Sequence, residues 1–201
     1  MAGRDRGDAV TPTEHDERLL VLERELRSAD KLLLASERAV RIAQGQRRRG
    51  DAWVAPDGSQ GTLLEILEVL PDSHPLWIRK RLRQDCWRDI EKHETGYTGW
   101  ARYRLVISSD GHVHGDPKCR SFRPTTQTVV IPDLSDKPPS AVIEMLGNAC
   151  CTVCVPGAKK GAEKISSSLV NILVKRGSAE FAAALARRKR RVTDVTLTQR
   201  R

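Results

Sequence analysis

"GHVHGDPKCRSF", residues 111 to 122, sets two histidines and a cysteine close together, and "ACCTVC", residues 149 to 154, follows with three more cysteines. Thiolates and imidazoles are the ligands a zinc ion takes in a tetrahedral site. A Cys-x-x-Cys turn turns two sulfurs toward one ion, as Cys151 and Cys154 do, so the other half of a site must come from elsewhere. Cys119 with one histidine of "HVH" is the dense remaining source. Ligand chemistry therefore predicts one structural Zn²⁺ in a Cys₃His site of His114, Cys119, Cys151 and Cys154. His112 is the alternative imidazole, because residues two apart on a strand share a face. Cys150 is an alternative to Cys151, although it gives a longer gap to Cys154 than the usual two-residue knuckle. Cys86 falls in an amphipathic helical pattern and reads as a small buried hydrophobe.

The surroundings of the two clusters predict an α+β module over residues 96 to 158. Tyr103, Leu105 and Ile107 alternate with Arg104, Val106 and Ser108, the period of a strand. "QTVVIPDL" reads as a second short strand, and "PPSAVIEMLGNA" as a helix ended near Gly147. Together they suggest a small zinc-stabilised ββα unit. At about 60 residues a hydrophobic core is marginal, and the chain has few aromatic residues, so a metal is a plausible replacement for core.

Upstream, residues 1 to 12 are polar and expected to be disordered. Residues 13 to 50 read as one long coiled-coil-like helix, with Thr13 as N-cap and Glu14, Asp16 and Glu17 complementing the dipole in the first turn. Its heptad seam runs Leu19, Leu22, Leu26, Ala29, Leu33, Ser36, Val40, Ala43. Residues 51 to 61 have linker composition. Residues 62 to 95 read as a helical hairpin, with Ser73 as cap of the second helix. Its basic second helix also fits a helix-turn-helix, against the plainer reading of a packed αα-hairpin. Residues 159 to 191 read as basic C-terminal helices, and residues 192 to 201 as a loose tail.

The 201 residues carry 35 Lys and Arg against 26 Asp and Glu, a formal charge of +9. That balance suits a polyanionic partner. The candidate nucleic-acid contacts are Arg47, Arg48 and Arg49, and the run Arg187, Arg188, Lys189, Arg190 and Arg191, joined by Arg120 and Arg123 beside Cys119. Each run also reads as a solvated helix end. No apolar stretch approaches a membrane span, and no secretory signal is visible at the start. Odd, clustered cysteines fit a reducing, cytoplasmic setting better than a disulfide framework.

"YTGWARYRLVISSDGHVHGDPKCRSFRPTT", "PDLS" and "CTVCVPGA" together resemble an uncharacterised zinc-binding module of small actinobacteriophage and mycobacterial proteins. The pattern of that module is Tyr-x-Gly-Trp, a strand, Gly-His-(Ile/Val)-His, Cys-x-x-Cys, Thr-Thr, Pro-x-Leu-Ser and Cys-x-Val-Cys-Pro. The resemblance covers about residues 96 to 158. It implies a zinc module, a phage origin and a bacterial host cytoplasm, and no reaction. It also implies a thiol where this chain has Phe122, which moves the fourth ligand onto a histidine.

Catalytic zinc needs an open coordination position and a base. Asp116 and Glu144 are the available carboxylates, and neither sits in a catalytic motif. The deaminase pattern requires a glutamate two residues after the histidine, where this chain has His114. The expected function is a small accessory or regulatory protein that binds nucleic acid through its basic helices, more readily a non-enzyme than an enzyme. The alternative is an adaptor that targets a host protein, or a homodimer, through residues 13 to 49. A metal-dependent nuclease ranks last.

Overall fold

The computed structural model describes residues 10–43, 53–54, 58–61, 65, 70–108, 111–123, 125–159, 165–184 and 186–187. Residues 1–9, the helix expected over 62 to 70 apart from Glu65 and Leu70, Arg47 to Arg49, the run from Arg188 to Arg191 and the tail lie outside these. The architecture is α+β, with helices accompanying a small antiparallel sheet. Among the described residues, no helix is long and apolar enough to cross a membrane.

Helix α1 spans Pro12–Ala43. It starts earlier than expected because Thr11, not Thr13, is the cap. Glu14 N–H donates to Thr11 Oγ1 at 3.2 Å, and Thr11 N–H donates to Glu14 Oε2 at 2.9 Å, a reciprocal capping box with proline next in line. The chain divides into two compact units along this helix, one drawn from Met1–Val21 with Gly96–Arg201, the other from Leu22–Thr95.

In the second unit, the expected linker contains a two-residue antiparallel pair, β1 (Trp53–Val54) with β2 (Gln60–Gly61). Helix α2 spans Pro75–Glu94 and is capped by His74 rather than Ser73, the imidazole Nδ1 accepting from Leu76 N–H at 3.2 Å. Leu76 is fully buried, and Leu33, Val40, Leu70 and Trp77 pack on it. The heptad positions Leu33 and Val40 thus meet α2 of the same chain. Arg83 Nε donates to Asp30 Oδ1 at 2.5 Å across the same hairpin.

In the first unit, three strands replace the expected two: β3 (Arg104–Val106), β4 (Val113–His114) and β5 (Thr128–Val130), in the order β4-β3-β5. Cross-strand partners share a face, so Leu105 lies between Val113 and Val129 on one side, all three at 0% exposure. Arg104, His114 and Val130 occupy the opposite side. A 3₁₀ turn over Pro132–Leu134 and helix α3 (Pro139–Leu146) follow, and Gly147, at φ 58°, ends α3.

The module does not stop at residue 158. Ile165 pairs with Gly111 through an N–H···O bond of 2.9 Å, and helix α4 (Ser167–Arg176) follows behind the Ser166 cap. Residues 178–184 are helical, and Phe181 is buried to 1% exposure. The C-terminal helices, expected as a separate basic element, therefore contribute core to the unit that contains residues 96 to 158. Phe181→Ala is expected to cost the first unit about 3–5 kcal/mol, read by urea denaturation. A loss under 1 kcal/mol would show the helices to be appended rather than integral.

Candidate metal centre

β4 carries His114 along the sheet edge. Next to it, the chain after α3 returns beside the strand, with Cys150 bridging Val113 and Cys151 N–H donating to Val113 O at 2.8 Å. Residues 151 to 155 then close a turn, Val155 N–H on Cys151 O at 3.0 Å, that brings Cys154 round to the strand. Cys119 arrives from a second turn after β4, in which Asp116 Oδ1 accepts from Lys118 N–H at 2.7 Å and Cys119 N–H donates to Asp116 O at 3.2 Å. Asp116, considered above as a base, has this turn role.

The ligand atoms of His114, Cys119, Cys151 and Cys154 all lie within 4.8 Å of one another. The Cys119 and Cys151 sulfurs are 3.9 Å apart, and Cys154 Sγ is 3.4 Å from His114 Nδ1. A disulfide needs about 2.05 Å, so these are free thiols around a common point. His114, Cys119 and Cys151 are buried and Cys154 is half-buried. This is a buried His/Cys group able to hold a metal ion.

No protein family, curated protein or solved structure matches this chain.

The electrostatics at His114 and Cys119 suit the ligand state. Burial lowers the His114 pKa to about 4, helped by the neighbouring His112, so the imidazole is neutral, the form that binds a cation. Burial opposes ionisation of Cys119. The Ser121 hydroxyl, 3.2 Å away, the Ser121 backbone N–H and the adjacent thiols outweigh it and pull the thiol below its ordinary value. Burial pushes Cys154 up to about 12 against backbone N–H donors at Gly115 and Asp116. Such N–H donors aimed at sulfur stabilise a thiolate once a cation is present. Cys150 is also buried, with its pKa pushed up to about 11 by burial. It lies outside the quartet and serves the strand pairing instead.

His112 sits on the same side as His114, ring centroids 4.4 Å apart, but is not one of the four clustered residues. Phe122 lies against His114 at 4.2 Å. Where the resemblance implies a thiol, this chain holds the imidazole with an aromatic ring. Ser121 was not anticipated as part of the site. Its hydroxyl is also 3.8 Å from Cys151 Sγ, so it touches two of the three sulfurs. Arg187, Arg120 and Arg123 are exposed.

A second buried cluster has no local signature in the sequence. Asp16, fully buried, accepts from Arg102 Nη2 at 2.6 Å, Ser135 Oγ at 2.5 Å and Trp100 Nε1 at 3.2 Å. The Arg102 guanidinium sits 4.0 Å from the Tyr97 ring centre. "YTGW" and "PDLS" therefore meet at Asp16, whereas "GHVH", Cys119 and "CTVC" meet at the metal-ligand group.

Proposed function

We propose that the bound ion is zinc, held by His114, Cys119, Cys151 and Cys154, and that it is structural. The observation that carries this is the spacing of the ligand atoms. Tetrahedral zinc, with Zn–S near 2.3 Å and Zn–N near 2.0–2.1 Å, puts sulfurs about 3.8 Å apart and sulfur and nitrogen about 3.5 Å apart. Here the Cys119–Cys151 and Cys154–His114 separations are 3.9 and 3.4 Å, and every ligand-atom pair lies within 4.8 Å. Four protein ligands leave no open position for a reacting water, which favours a structural role over nuclease chemistry. Metal analysis of the purified chain tests it: one zinc per chain is expected, and none after exhaustive reconstitution would end the proposal.

Ser121→Ala is expected to weaken zinc about 10–100-fold in competition with a chromophoric chelator, because supporting hydrogen bonds to ligands typically contribute that much. Unchanged affinity would assign Ser121 to the turn alone.

On this reading the chain is a small zinc-stabilised accessory protein of phage type that binds nucleic acid. The +9 charge supports that partner. Binding to DNA or RNA at 50 mM salt that weakens steeply at 200 mM tests it, and absence of binding at 50 mM removes it. An adaptor or a homodimer through residues 13–49 draws less support, since Leu33 and Val40 already pack on Leu76.

A further inference from the structure

The arginine runs are not the only cationic feature. At 100° per residue, Trp77, Lys80, Arg81, Gln84, Trp87, Arg88 and Glu91 of α2 fall within about a third of the helix circumference. Trp87 is 44% exposed, and Arg81, Gln84 and Arg88 are exposed beside it. Trp77 packs partly on Leu76, with the Lys80 ammonium 5.1 Å and the Arg81 guanidinium 5.9 Å from its ring centre. Trp87 is thus a large aromatic left nearly half exposed among cations.

Three groups on this face already have protein partners or carry the opposite sign. Arg81 Nη2 donates to Asp72 O at 2.8 Å, Arg88 pairs with Asp85, and Glu91 is an acid at the C-terminal end. The Arg88–Asp85 pair is solvent-exposed on both sides, 72% and 57%, and such pairs exchange partners at little cost. Lys80, Arg81 and Arg88 remain the cationic majority beside the two indoles.

We propose that this face of α2 docks single-stranded nucleic acid, bases stacking on Trp87 and Trp77 and phosphates meeting Lys80, Arg81 and Arg88. The proposal rests on the nucleic-acid reading above and moves the contact from the arginine runs to a helix face. Ten residues of helix set the indoles about 15 Å apart along the axis, the span of about four stacked bases. Stacking on an aromatic accepts any base, so the surface predicts affinity for unpaired strands with little sequence preference.

The test is a titration of the full chain with a dT12 oligonucleotide and with a 12-base-pair duplex, followed by tryptophan fluorescence at 50 and 200 mM salt. Quenching by dT12 is expected, with tighter binding than to the duplex. Trp87→Ala should weaken dT12 about tenfold or more, and Trp87→Phe should restore most of it, which a loss of fold would not do. Lys80→Ala with Arg88→Ala should flatten the salt dependence by about 1.4 in log–log slope, two contacts at about 0.7 each. If the wild type binds but Trp87→Ala binds equally well, the α2 surface is wrong and the nucleic-acid reading stands. Preference for the duplex would overturn stacking, and no binding to either strand form at 50 mM would end both.

Discussion

With zinc held as proposed, Cys151→Ser and Cys154→Ser are each expected to lose it and with it the folded state of residues 96 to 158. Structural zinc contributes on the order of 10 kcal/mol in small domains, as much as the whole stability of a typical domain. Metal content and near-UV circular dichroism read the loss together, and strong chelation of the wild type should reproduce it. Cys150→Ser is the internal comparison. Cys150 is as buried as Cys151 but stands outside the quartet, so that variant should keep one zinc. A metal-free, protease-resistant Cys154→Ser protein would overturn the site.

The second large effect is expected at Asp16. Asp16→Ala leaves Arg102, whose side chain is 11% exposed, without its carboxylate, and breaking a buried pair typically costs about 3–5 kcal/mol. Burial alone would raise the Asp16 pKa, but Arg102, Ser135 and Trp100 outweigh it and hold the carboxyl below its ordinary value. A depressed folded pKa means that the stabilisation is complete above the unfolded value, near 3.9, and is lost as pH falls through the folded one. The stability gap between wild type and Asp16→Ala, measured by urea titration, should therefore be constant from pH 7 to about pH 5 and narrow only below about pH 4. A gap that closes between pH 7 and 5 would assign the effect to another group.

The two clusters differ in how visible they are in the sequence. Cysteine and histidine have narrow chemistry, and a two-residue spacing between thiols is a local geometric statement, so the grouping of His114, Cys119, Cys151 and Cys154 can be anticipated from the chain. Asp16 reads as one of several acids in a first helical turn, favourable for the dipole. Its partners Arg102 and Ser135 lie 86 and 119 positions away, and nothing near Asp16 announces them. The heptad seam is legible as a stripe, but the period does not say what fills it, and Leu76 does so for Leu33 and Val40. Ser121 is equally silent, since a serine two residues after a cysteine is an ordinary turn residue until its hydroxyl is found at the sulfur.

β4 is an outer strand of its sheet, and the segment at Cys150 and Cys151 covers its open side by pairing with Val113. The residues that would grip the ion thus also close a sheet margin. On the zinc proposal, loss of the ion would free that cover and leave unpaired backbone beside Val113, a template for strands of other molecules. Zinc starvation would then appear first as self-association of a partly folded chain, with turbidity preceding complete unfolding.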